Sequence, residues 1–208
     1  MSLVSVRTLL GAAALLAASF SSHATLIVNG DFEENFVANK SWKPFSSADV
    51  AGWQGSNIEI WNALNGVVAA SGKNFIELNA HGANTGAWSI FQTFATEVGR
   101  QYELSFFYRA RNNNSEAFEA KVADISWKLD DHVVGSWNFF SSVFVATSSS
   151  TTLTMNSLTG GTMGNLIDDV QVNALPSQAV SVSAPATLGV FGAGLLLLAS
   201  GRRLRRSK

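Results

Sequence analysis

Apolar and polar residues alternate with period two in several places along the chain, which is the spacing of a half-buried strand. Tyr102, Leu104, Phe106 and Tyr108 alternate with Glu103, Ser105, Phe107 and Arg109. Ala123, Ile125, Trp127 and Leu129 alternate with Asp124, Ser126 and Lys128, and Trp88, Ile90, Gln92 and Phe94 form a further set. Shorter runs at 25–28, 58–61, 74–78, 139–146, 151–155 and 166–172 also read as strands. Turn residues separate them: Asn65-Gly66, Ser71-Gly72, Val98-Gly99, Asn112-Asn113-Asn114, Asp130-Asp131 and Gly160-Gly161. Between the two ends no stretch has helical periodicity with caps. About nine short strands without helices predict an all-β sandwich, two antiparallel sheets packed face to face.

Both ends break the pattern. Residues 1–24 read as a secretory signal peptide: Arg7 is the positive part, residues 8–18 the apolar part, and Ser22-His23-Ala24 a small-residue cleavage site. Residues 175–184 read as a linker. Pro185 then opens an uncharged, mostly apolar run ended by Arg202-Arg203-Leu204-Arg205-Arg206. Residues 186–201 are expected to form a short transmembrane helix, with the basic tail 202–208 held in the cytoplasm. Fifteen residues of helix reach ~23 Å against a hydrocarbon core of ~30 Å, so arginine snorkelling must extend the span.

This three-part end resembles the PEP-CTERM sorting signal of Gram-negative bacteria. The resemblance implies an exosortase-type partner and passage through the inner membrane to the cell surface or beyond. The sorting residues would be Val182, Pro185, Arg202, Arg203, Arg205 and Arg206. The usual Val-Pro-Glu-Pro is here Val182-Ser183-Ala184-Pro185, which keeps the valine and the last proline.

Composition narrows the function. The net charge is −1, but 5 of the 14 basic residues lie in the last seven positions and all 15 acidic ones between Asp31 and Asp169. Residues 25–184 carry 8 basic against 15 acidic residues, a net of −7, which argues against nucleic acid as a partner. Without cysteine the chain has no disulfide and no thiolate nucleophile or ligand.

Across residues 25–174 a second resemblance appears. Asn29-Gly30-Asp31-Phe32-Glu33, Gly52-Trp53, Ile58-Glu59-Ile60-Trp61, Ile76-Glu77-Leu78-Asn79, Ile90-Phe91-Gln92-Thr93, the run 101–106 and Ile167-Asp168-Asp169-Val170 follow in the order of galactose-binding-like jelly rolls, which include carbohydrate-binding modules. That family implies a sandwich fold, a glycan ligand, and a structural Ca²⁺ between Glu33 and either Asp169 or Asp168. The other role open to Glu33 is to accept backbone amides at a turn.

Six tryptophans are many for this length, and indoles stack on the C–H faces of sugars while polar side chains bond the hydroxyls. Trp42, Trp53, Trp61 and Trp137, with Arg109 and Arg111, are the candidate ligand-binding residues. Trp53, Trp61, Trp88 and Trp127 also sit where packing is the ordinary role. Catalysis is not expected. No serine-hydrolase, zinc-protease or phosphate-loop motif occurs, and no local pattern sets two carboxylates across a cleft as glycoside hydrolysis requires. The expected function is a noncatalytic surface protein that binds polysaccharide, exopolysaccharide or matrix glycan. The alternative is a structural surface protein that self-associates without a small ligand.

Overall fold

The computed structural model describes residues 24–81, 88–113, 115–131 and 134–176. The expected signal peptide lies outside these residues up to position 23, and the expected transmembrane helix and basic tail lie wholly outside them. Among the described residues no helix is long and apolar enough to cross a membrane. Contacts divide the chain after Leu175, and among the described residues the strands belong to the first of the two units.

In chain order the strands are β1 (Ser41–Phe45), β2 (Gln54–Gly55), β3 (Ile58–Asn62), β4 (Asn74–Glu77), β5 (Ser89–Ala95) and β6 (Gln101–Arg109). They continue as β7 (Phe118–Val122), β8 (Ile125–Leu129), β9 (Asn138–Val145), β10 (Ser150–Ser157) and β11 (Leu166–Ala174). One sheet has the order β1-β3-β4-β11-β6-β9 and the other β2-β5-β10-β7-β8. Neighbours pair antiparallel throughout both sheets. The expected all-β sandwich is the architecture observed.

Period-two alternation explains the core. Tyr102, Leu104, Phe106 and Tyr108 of β6 point inward and meet Phe118, Ala120 and Val122 of β7 and Leu153 and Met155 of β10. Burial of a large apolar side chain stabilises by about 1.5–3 kcal/mol, so this shared interior is the main source of stability in a chain without disulfides.

β3 and β4 depart furthest from alternation, with both faces buried. Ile58, Ile60 and Ile76 enter the main core, while Trp61 and Phe75 join Leu166 in a second cluster. Leu64, Val67, Ala69 and Trp137 pack over that cluster.

The strand expected at 25–28 is instead an irregular segment. Its hydrogen bonds still run along β11, with the Leu26 amide donating to the Val172 carbonyl at 2.8 Å. Residues 123–124, placed in a strand by alternation, form the turn between β7 and β8, where Ala123 has φ 50°. Strands β1, β2 and β7 were not expected. β1 carries Pro44 and Lys43, β2 is two residues long, and β7 has a single charged pair interrupting its apolar positions.

The opening motif is fastened to the last strand. β11 bulges between Asp168 and Gln171, and Asp169 takes φ 50° there. The Gly30 carbonyl accepts from the Val170 amide at this bulge. A Cβ on Gly30 would lie 2.0 Å from the Val170 oxygen, so only glycine fits. Phe32, with φ 57°, is buried and stacks on Trp53 at 5.5 Å.

Candidate functional site

The segment after the opening motif lacks strand partners, and side-chain amides hold it in place. Asn74 Nδ2 donates to the carbonyls of Phe32 and Asn35, and Asn62 Nδ2 to that of Val37. Asn35 Nδ2 reaches the Asp49 carbonyl at 2.9 Å. With the backbone pinned at these points, Val37 turns into the core and Phe36 turns outward, 86% exposed.

Between this segment and the loop that follows β3 lies a recess of about 680 Å³. Asn35, Asn39, Asn62 and Lys73 supply polar groups, and Phe36 and Val68 supply apolar surface. The size falls within the roughly 300–1,000 Å³ usual for small-ligand sites. An exposed aromatic beside several amides can stack on a sugar face while bonding its hydroxyls. None of these residues was among the sequence candidates. The available signal was Asn35-Phe36-Val37-Ala38-Asn39, an aromatic flanked by asparagines outside any strand pattern.

The sequence candidates are distributed differently. Trp53 is 2% exposed, stacked on Phe32, with its indole N–H donating to the Asn29 carbonyl. Trp61 is 1% exposed in the second cluster, and its indole N–H donates to Glu59 at 2.6 Å. Neither indole has a free face: Trp53 lies in the main core, and Trp61 in the outer cluster under Leu64, Val67 and Ala69. Trp42 lies on the edge strand β1, 38% exposed, with its ring 5.8 Å from that of His81. Trp137 is half-buried and donates to the Val68 carbonyl.

Arg109 is buried with its guanidinium 5.7 Å from the Trp137 ring, and burial lowers its pKa. Arg111 stacks on Trp61 at 4.6 Å and grips both oxygens of the fully buried Glu77. Glu59 and Glu77 are direct cross-strand partners. Burial pushes the Glu77 carboxyl up to about 8, against the pull of Arg111 and of the Gly164 amide. Both carboxylates are buried and engaged: Glu59 accepts from Trp61 and the His81 amide, Glu77 from Arg111 and the Gly164 amide. They brace the outer side of the sheet.

Two of the three metal candidates, Glu33 and Asp168, converge on one loop. Glu33 Oε1 accepts the Asn74 amide at 2.6 Å and the Lys73 amide, the turn-acceptor role open to it from the sequence. Asp168 is fully buried and accepts the Ser71 amide at 2.9 Å. Burial pushes the Asp168 carboxyl up to about 7, against the amides of Ser71, Asp169 and Ala70. Asp169 accepts from Gln171. It lines a second, open depression with Asp31, Glu33 and Glu34. Among the described residues no group of three or more acidic or histidine side chains could hold a metal ion. A cation between Glu33 and Asp168 would therefore complete its shell with backbone carbonyls. That donor set is all hard oxygen, as Ca²⁺ prefers.

Fold and site together define an all-β, two-sheet sandwich with a polar, aromatic-rimmed recess. No family model matches the chain. It is similar to Halomucin of Haloquadratum walsbyi (strain DSM 16790 / HBSQ001), 25% identical in an alignment 210 positions long that covers 88% of this chain and 2% of that protein. Among solved structures it is similar to TmCBM61 in complex with β-1,4-galactotriose, at 15% identity and TM-score 0.46, over 73% of this chain and 99% of that one. It is also similar to the CBM22-1 xylan-binding domain of Xyn10C from Paenibacillus barcinonensis, at 14% identity and TM-score 0.45, over 74% and 97%.

Proposed function

We propose that this chain is an exported, surface-sorted, noncatalytic protein that binds polysaccharide through the recess beside Phe36. The recess carries the reading: it combines an 86% exposed aromatic ring with asparagine and lysine side chains around about 680 Å³. A sugar unit presents C–H to the ring and hydroxyls to the amides. Many copies on one surface would convert weak single contacts into firm attachment.

Ca²⁺ is part of the proposal as a structural pin. Glu33 and Asp168 would hold it with carbonyls of the loop between β3 and β4, fixing the wall that Glu33 shares with the recess. Export and sorting by an exosortase-type enzyme rest on the residues of the two ends.

The test is binding of the full chain to the producing cell's secreted polymer and to a glycan array. Phe36→Ala is expected to weaken retention by about tenfold, roughly 1.4 kcal/mol, with an unchanged melting temperature. No array hits together with no retention on secreted polymer would overturn the reading. A second reading, a structural surface protein that assembles with itself, is favoured by one observation: the uncharged edge strand β9.

A further inference from the structure

A sheet edge is a row of unpaired N–H and C=O groups, and stable monomers blunt it with charge, proline or brevity. Among the described residues the sandwich has four edges: β1 and β9 in one sheet, β2 and β8 in the other. Three are blunted. β1 carries Lys43 and Pro44, β2 is two residues long, and β8 carries Lys128 among its five residues. β9 differs. Its eight residues, Asn138-Phe139-Phe140-Ser141-Ser142-Val143-Phe144-Val145, include no charge, proline or glycine. Its outward row is exposed, with Phe139 at 60%, Val143 at 46% and Val145 at 45%.

We propose that β9 is a docking edge for a second copy of this chain, pairing antiparallel with the partner's β9 about a two-fold axis at Ser141. The sequence of the strand selects this occupant. Opposed residues of an antiparallel pair face the same side, so the outward row must meet an outward row. A two-fold pairing of β9 with itself therefore centres on a residue, not between two. Centred on Ser141, it sets Phe139 against the partner's Val143 twice, and Ser141 against the partner's Ser141. A two-fold contact requires such a self-complementary patch.

Charge points the same way. The body carries 8 basic and 15 acidic residues between positions 25 and 184, so two copies repel over most approaches. β9 offers a long line of contact with no charge on it. Glu103 of the adjacent strand β6 is engaged by the Ser141 hydroxyl.

An eight-residue edge belongs at the small end of specific interfaces, below about 1,200 Å² in total, so the pair is a weak one that fills where copies crowd on a surface. With the other three edges blunted, growth stops at two copies. The contact does not depend on the glycan reading.

The chain has no cysteine, which makes a single introduced thiol a clean reporter. Directly opposed strand residues lie about 4.5–5.5 Å apart at Cα, within disulfide reach. Full-length Ser141→Cys in detergent is expected to form a disulfide dimer at least about tenfold faster than Thr152→Cys, because pairing raises its effective concentration. Thr152 is exposed too, but on the central strand β10. Adding Val143→Lys is expected to remove the excess. In sedimentation velocity the wild type should show a concentration-dependent dimer that Val143→Lys lacks while melting at the same temperature. Equal crosslinking rates for the two cysteine variants, or a wild type that stays monomeric up to ~1 mM, would overturn the proposal.

Discussion

Glu77 shows how one side chain's role is set by what covers it. It points away from the main core, yet it is fully buried beneath Arg111 and the Gly164 amide. Its pKa is raised from 4.5 to about 8, chiefly by desolvation. The sign follows from linkage. A raised folded-state value means the stabilising contribution is complete below about 4.5 and is lost as pH climbs through about 8. Thermal stability is therefore expected to fall between these values, by at most about 5 kcal/mol at roughly 1.4 kcal/mol per pH unit. Relaxation of the half-exposed Arg111 toward the charged carboxylate reduces that figure. In Glu77→Gln the decline should flatten, which melting curves taken from pH 5 to 9 will check. An identical decline in wild type and variant would remove Glu77 as its cause.

Residue type alone did not separate ligand contacts from packing. Trp42 and Trp61 are register partners on neighbouring strands, yet one is 38% exposed and the other 1%. The difference comes from Leu64, Val67 and Ala69 closing over Trp61. Phe36, by contrast, is a residue whose type suggests a core position, and the amides that pin its neighbours turn it outward.

At the level of elements, the loop between β3 and β4 does the most. It receives Glu33 and Asp168, walls the recess, and covers the outer cluster. If Ca²⁺ sits between the two carboxylates, removing it loosens all three arrangements together. Binding at about 100 times the dissociation constant stabilises by ~2.7 kcal/mol, or roughly 5–10 °C in a domain of this size. EDTA is expected to lower the melting temperature by that amount, and added Ca²⁺ to restore it. Equal melting in EDTA and in excess Ca²⁺ would leave Glu33 as a turn acceptor only.

The strands themselves were largely legible. Alternation marked β5 and β6, and shorter apolar runs marked β10 and β11. β1 and β2 escaped notice because edge strands are short or carry proline and lysine. Residues 25–28 read as a strand because Leu26, Ile27 and Val28 form an apolar run, but their bonds to β11 gather on Val172 and form no regular ladder.

For the whole molecule, charge separates an acidic body from a basic end, with Arg202, Arg203, Arg205 and Arg206 closing the chain. If that cluster directs sorting, replacing the four arginines by alanine should hold the protein in the inner membrane or misplace it. Cell fractionation of wild type and variant would decide, and the same distribution for both would end the sorting reading.

The sequence by itself determined the all-β class, the inward rows of the main core and the polarity of the ends, because period-two burial and charge runs are local properties of the chain. Only the tertiary structure decided which tryptophans are closed over, that Glu33 and Asp168 reach one loop, and that Phe36 stands beside a recess. The last two depend on segments about 40 and 97 positions apart meeting in space. No local pattern in the chain encodes such a meeting.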